Sequence, residues 1–280
     1  MVVLLVLAFT FPLYELARFA LASDLYSYIL LVPIVSAYLV WLQRSKLPPF
    51  SGQARLPAAG FFLAGLMVLA VYPLARRAGF AWPQDDFLAL MMTAFVLLFA
   101  GGSCWFLGKE IVRQLAFPIG FLVLLVPMPT FLVNGIEVFL QQGSALAAAG
   151  FFQLAGATFY RDGLIFKLPT ITLEVAPECS GIHSSLVLFI TSLVAGQLFL
   201  RSPWKRTVLA LAIIPLALLR NGFRVFVIGE LCTHIGPEMI DSPVHHQGGP
   251  LFFALSLIPF FLLLFFLRKS ERFNKNLKPQ

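Results

Sequence analysis

A chain of 280 residues that is 59% hydrophobic and only 12% charged, with a mean hydropathy of +0.88, excludes a soluble globular domain. The formal net charge is +7. The basic residues sit in short loops between apolar runs, so they orient a membrane protein and are not a nucleic-acid footprint. Apolar runs of membrane-spanning length recur, which makes the expected fold class an all-α polytopic membrane protein of about eight transmembrane helices, one integral membrane domain over 1–280.

In chain order, spans are expected at 2–21, 26–42, 59–74, 87–107, 114–133, 179–200, 207–227 and 251–267. The first lacks a basic n-region and a small-residue cleavage site, and is read as a span rather than a removable signal peptide. The fifth holds Pro118, Pro127 and Pro129, which predict a kink or an irregular end near Pro127. Segment 134–178 is richer in Gly, Ala and Gln. It is expected to form an interfacial or re-entrant helix, followed by a short extracytoplasmic β-hairpin with strands at 163–169 and 171–176. A basic tail, 268–280, follows the last span. With both termini cytoplasmic, every Lys and Arg falls inside except Arg18, Arg76, Arg77, Arg161, Lys167, Arg220 and Arg224. The hairpin, the start of the sixth span, the outer end of the seventh and the loop 230–250 then share the extracytoplasmic face.

Three stretches on that face carry chemistry. The first is Pro177-Glu178-Cys179-Ser180-Gly181-Ile182-His183, directly before the sixth apolar run. A thiol at a helix start meets unpaired N–H groups and the positive end of the macrodipole, and both favour the thiolate. The plain alternative is a small residue at a crowded helix start. The second is Arg220-Asn221-Gly222-Phe223-Arg224 in the seventh span. Counting from Thr207, the two arginines lie roughly 20 and 26 Å into the helix, four residues apart on one face. Arginines at such depth must face protein or water, or else snorkel to the headgroups. The third is His245-His246-Gln247-Gly248-Gly249. Neighbouring histidines rarely share an ion, and no third ligand is suitably spaced, so no metal or other cofactor is expected. An imidazole there suits general acid–base work.

The order Glu178-Cys179-Ser180-Gly181-Ile182, Asn221-Gly222-Phe223-Arg224, and His245 with Gly248-Gly249 resembles the exosortase/archaeosortase family of membrane cysteine transpeptidases. So do Tyr26-Ser27, Leu31-Val32-Pro33 and Trp41 in the second span, and the hairpin leading into the cysteine. The resemblance covers about residues 24–267. It implies a cysteine protease or transpeptidase of the cytoplasmic (inner) membrane, with its active site on the extracytoplasmic face. Its partners would be membrane-anchored proteins bearing a C-terminal sorting signal (a short Pro-Glu-Pro-like motif, a transmembrane helix and a basic tail), membrane lipid, and an acyl acceptor in the envelope. No nucleic acid is implied. Cys179 would be the nucleophile forming a thioacyl intermediate, Arg224 the oxyanion partner and His245 the acid/base. The family spacing His-x-x-Gly-Gly favours His245 over the adjacent His246. Ser180, Glu178, Asn221, Arg220 and His183 would support the site. His183 stands where the family is often basic, and would tune the thiolate or simply pack.

Two competing readings use the same residues. In one, Arg220 and Arg224 line the anion site of a transporter. In the other, a non-catalytic scaffold joins Cys179 to Cys232 as a disulfide. Cys104, beside Gly101, Gly102 and Ser103, is expected to be packing, and Glu230 and Asp241 are candidates to orient an arginine or histidine.

Overall fold

The computed structural model describes residues 1–49, 52–79, 82–176, 180–241 and 248–276, without the side chains of 241 and 272–276. It is almost wholly helical, and by its internal packing it divides into two compact units, Met1–Val133 and Asn134–Gln280.

In the first unit, α1 (Val2–Ala8) and α2 (Thr10–Ala22) meet at a 74° bend. Phe9, at the bend, is buried against the edge of Phe95 at 5.4 Å. A 3₁₀ turn, Ser27–Leu31, runs into α3 (Val32–Gln43). Pro33 falls in its first turn, where a proline costs no hydrogen bond. α4 (Arg55–Arg77) packs on α5 (Gln84–Leu107) through small residues. A Cβ on Gly65 would stand 2.9 Å from the Leu98 side chain, and one on Gly101 would stand 3.0 Å from Phe62. Small residues are what allow helices to approach closely in an apolar solvent. Cys104 belongs to the same contact, buried with Ala54 and Ala58.

The expected fifth span is broken. It becomes α6 (Lys109–Gln114), α7 (Ala116–Phe121) and a 3₁₀ turn, Leu122–Leu125. The helix stops before Pro127, because a proline pushes the residue ahead of it out of helical geometry. The non-helical link is held from outside: the Tyr26 hydroxyl donates to the Met128 carbonyl at 3.0 Å. A helix, α8 (Thr130–Leu154), then begins, and the Asp86 carboxylate accepts from its first N–H at 2.9 Å. This is an N-terminal cap supplied from α5.

The second unit holds most of α8. The helix expected to be interfacial or re-entrant is 25 residues long, and its Gly143, Ser144, Ala147 and Ala148 form a seam of small side chains. That seam receives α11 (Ile213–His234). A Cβ on Gly222 would meet Ala147 Cβ at 2.6 Å, the Ala148 nitrogen at 2.8 Å and the Ser144 carbonyl at 2.9 Å. The expected hairpin belongs to a three-stranded antiparallel sheet, β1 (Tyr160–Asp162), β2 (Ile165–Lys167) and β3 (Thr172–Glu174). Only the latter two strands alternate clearly enough to be read from sequence. Phe166 pairs with Leu173, and both are buried with Phe152, Leu168 and Val175 against Ala145, Ala148 and Ala149 of α8. α9 (Ile182–Phe199), α10 (Pro203–Leu211) and α12 (Gly249–Asn276) complete the unit around a core that includes Leu188, Leu209, Ile213 and Phe260.

Six helices among the described residues are long and apolar enough to cross a membrane: Ser27–Lys46, Arg55–Arg77, Gln84–Leu107, Ile182–Phe199, Pro203–His234 and Gly249–Glu271. Two bent pairs, Val2–Ala8 with Thr10–Ala22 and Ala116–Leu125 with Thr130–Leu154, raise the number to eight if each counts as one span.

The seam between α8 and α11 makes a prediction. Gly222→Val forces the two backbones apart and is expected to cost about 1–3 kcal/mol, as other overpacked sites do. Gly150→Ala, inside the same helix and with nothing within 4 Å of the new methyl, is expected to be neutral or to stabilise by up to about 1 kcal/mol. Thermal unfolding in detergent, followed by size exclusion, separates the two outcomes.

Candidate active site

The site is built at the start of α9. Gly181 is the residue before the helix and has φ of +71°, the left-handed region that other residues enter only with strain. Its carbonyl is the focus of four donors. The Ser185 N–H reaches it at 3.0 Å, the Ser185 hydroxyl at 2.7 Å, the Ser184 hydroxyl at 3.1 Å and Arg220 Nη2 at 3.2 Å. Arg220 Nη2 also donates to Ser185 Oγ at 3.2 Å. A Cβ on Gly181 would come to 3.0 Å from that guanidinium nitrogen and 3.3 Å from Asn221 Oδ1. Glycine is therefore needed here twice, for its dihedral and for its missing side chain.

Arg220 does not snorkel. Its residue is 8% exposed and it turns inward to the first turn of α9. Asn221 beside it is 3% exposed. Arg224, one turn further along α11, is half-buried and lines two cavities. The larger, about 660 Å³, is bounded also by Glu137, Ser180, Gly181, Ile182, His183, Ser184, Val187, Gly249, Pro250 and Phe253. The smaller, about 140 Å³, lies among Leu173, Glu174, Ala176, Asn221, Val225, Ile228 and Ile240. The two arginines thus have different places: Arg220 donates to the backbone at the helix start, and Arg224 contributes to the walls of both cavities.

Ser180 is buried, and its hydroxyl has no hydrogen-bond partner among the described residues. His183 is exposed on the wall of the larger cavity rather than packed. Glu178, Cys179, His245 and His246 lie outside the described residues. Their chain neighbours do not: Ala176 lines the smaller cavity, while Ser180 and Gly249 line the larger one.

The approach to Cys179 from the other side is also fixed. Val175 is buried, its N–H donates to the Leu164 carbonyl at 3.0 Å, and its carbonyl accepts from Gln141 Nε2 at 3.0 Å. Thr170, in the turn before β3, donates to the Cys232 carbonyl at 3.1 Å and ties the sheet to α11. Gln141 and Glu137 are four residues apart on α8, hence on one face. Neither is an obvious site residue in the sequence. Glu137 nonetheless carries a signal, being the one charged residue in the 25 of α8. An ionisable group in an apolar helix is functional by default.

Among the described residues, Cys104 and Cys232 are buried and free. Glu230, a candidate to orient an arginine or histidine, is engaged with the exposed His234 at 3.0 Å, four residues on.

Fold and site together define a polytopic membrane protein with a largely apolar, arginine-bearing cavity at a helix start. Residues 19–262 match the family described as transmembrane exosortase. The match covers most of the chain, and the protein belongs to that family. No curated protein and no solved structure matches it.

Gly181→Ala places a methyl group against Arg220 at a positive φ, and is expected to lower stability by about 1–2 kcal/mol. His183→Ala, on an exposed position, should stay within about 0.5 kcal/mol of the parent. Paired melting curves in the same detergent check the difference.

Proposed function

We propose that this protein is a membrane-embedded cysteine protease or transpeptidase that cleaves the C-terminal sorting signal of exported proteins. The family match supports the class. The single observation that carries the mechanism is that Ser180, Arg224 and Gly249, from three separate sequence elements, line one cavity. Ser180 follows Cys179 in the chain, and Gly249 follows His245 at four residues' distance.

In this reading the Cys179 thiolate attacks the scissile carbonyl carbon and a C–S bond forms. The resulting oxyanion is stabilised by the Arg224 guanidinium. Collapse of the tetrahedral species breaks the C–N bond as His245 gives its proton to the departing amine. An acceptor (water, an amine or a lipid hydroxyl) then loses a proton to His245, attacks the thioester and releases the thiolate. Glu137 gives the cavity a carboxylate suited to holding an amine, whether departing or accepting. The mostly apolar remainder, with Ile182, Val187 and Phe253, suits a substrate whose own helix lies in the bilayer. The transporter reading requires Arg220 and Arg224 to share an anion, and the commitment of Arg220 Nη2 to Gly181 and Ser185 weakens it.

The test is co-expression with a protein ending in a short motif, a transmembrane helix and a basic tail. Cys179→Ser is expected to abolish processing, and Arg224→Ala to slow it by roughly 10²–10³, the cost of losing an oxyanion donor. His245→Ala should slow it by about 10²–10⁴, as loss of a general acid/base does. Normal processing by Cys179→Ser would overturn the nucleophile and the proposal with it.

The site is proposed to face the extracytoplasmic side of the inner membrane, with both termini cytoplasmic. A cysteine introduced as His183→Cys, in a Cys179→Ser background, should be labelled by a membrane-impermeant maleimide in intact spheroplasts. Labelling only after lysis would reverse the topology.

A further inference from the structure

The active-site cavity lies at the first turn of α9, and a second cavity of about 450 Å³ lies at its last. Gln197, Phe199, Arg201, Arg206, Arg268 and Glu271 are among the residues that line it. Two helices change character together here. α9 ends in Leu198-Phe199 and the chain continues through Leu200 to Arg201, while α12 runs Phe265-Phe266-Leu267 before Arg268. The Lys205 ammonium, itself buried, donates to the Leu267 carbonyl at 3.1 Å and fixes α10 at that boundary.

The charges in the cavity divide into two sets. Glu271 accepts from the backbone N–H groups of Arg201 and Ser202, at 3.0 and 2.8 Å, so its carboxylate caps the start of α10. Arg206 places Nε and Nη2 on the Leu200 carbonyl, at 2.9 and 2.8 Å, and Nη1 on Gln197. Both groups are consumed in shaping the cavity. The side chains of Arg201 and Arg268 are exposed, and among the described residues neither is in an ion pair. Arg268 instead lies over the Phe199 ring at 5.6 Å. Leu198, Phe199, Phe265 and Phe266 are exposed on the apolar side of the boundary.

Two exposed guanidinium groups beside an exposed apolar rim fit a ligand that is anionic at one end and hydrocarbon at the other. Guanidinium is the side chain best matched to phosphate oxygens, and basic pockets between membrane helices hold anionic headgroups. A soluble phosphate would leave the rim unused. We propose that this cavity is a headgroup site for an anionic phospholipid. Its phosphodiester lies between Arg201 and Arg268, and an acyl chain runs along Phe199 and Phe265. This site is independent of the proposed catalysis.

The experiment is native mass spectrometry of the full chain in detergent, titrated with phosphatidylglycerol or phosphatidylcholine. Arg201→Gln/Arg268→Gln should weaken phosphatidylglycerol binding at least about tenfold, the loss of two charge-assisted contacts, and leave phosphatidylcholine binding unchanged. Neither side chain makes an internal hydrogen bond among those found in the described residues, so the double variant should elute and melt like the parent. Should it fail to fold, Arg201→Lys/Arg268→Lys is expected to bind phosphatidylglycerol with intermediate affinity. Arg44→Gln, a basic residue stacked on Trp41 elsewhere, should bind as the parent does. Equal phosphatidylglycerol binding by parent and double variant would overturn the proposal. So would its displacement by millimolar inorganic phosphate, which would mark a site for soluble anions.

Discussion

The interaction on which the second unit turns is the burial of Arg220 against the Gly181 carbonyl. A charged guanidinium inside an apolar helix costs about 2.5–3.5 kcal/mol at the bilayer centre on insertion scales. It persists only where the protein supplies acceptors. Here the acceptors are the carbonyl that opens α9 and the Ser185 hydroxyl one turn into it. The constraint runs both ways, since the left-handed turn at Gly181 aims its carbonyl at Arg220 and the arginine holds that turn in place. Gly222, by admitting α8 to backbone contact, sets the depth at which α11 presents both arginines.

From that contact the remaining arrangement follows. α8 carries the small-residue seam, and on it Gln141, which fixes Val175. The sheet is packed on α8 by Phe152 and Phe166, 5.7 Å apart. The chain therefore enters the Cys179 segment from a fixed strand and leaves it into a fixed helix start. Arg224, one turn further along the same helix face, lines the cavity.

Much of this was legible in the sequence, for physical reasons particular to membranes. Spans announce themselves by length and apolarity, so the helical class and the positions of α4, α5, α9 and α12 were accessible. Arg220 and Arg224 stood out because charge is costly where they lie. The broken fifth span was foreshadowed by its prolines, but the side chains that fix it, the Asp86 cap and the Tyr26 hydroxyl, are distant in sequence and invisible to any local pattern. β1 was missed because Tyr160-Arg161-Asp162 has no apolar alternation. Glu137 and Gln141 were passed over because composition describes a segment as a whole and does not single out two positions on one helix face. Spacing alone put Arg220 and Arg224 on one helix face and could not say which of the two cations turns to the backbone; the preference for Arg224 came from the resemblance.

The most direct measurement is the intact mass of the purified protein after reaction with a substrate bearing the sorting signal, at a time short of turnover. The expected result is an added acyl fragment that maps to the Cys179 peptide, is released by hydroxylamine and is absent from Cys179→Ser. An adduct that survives in Cys179→Ser, or substrate cleavage that never passes through a hydroxylamine-sensitive species, would contradict the assignment of Cys179 as the nucleophile.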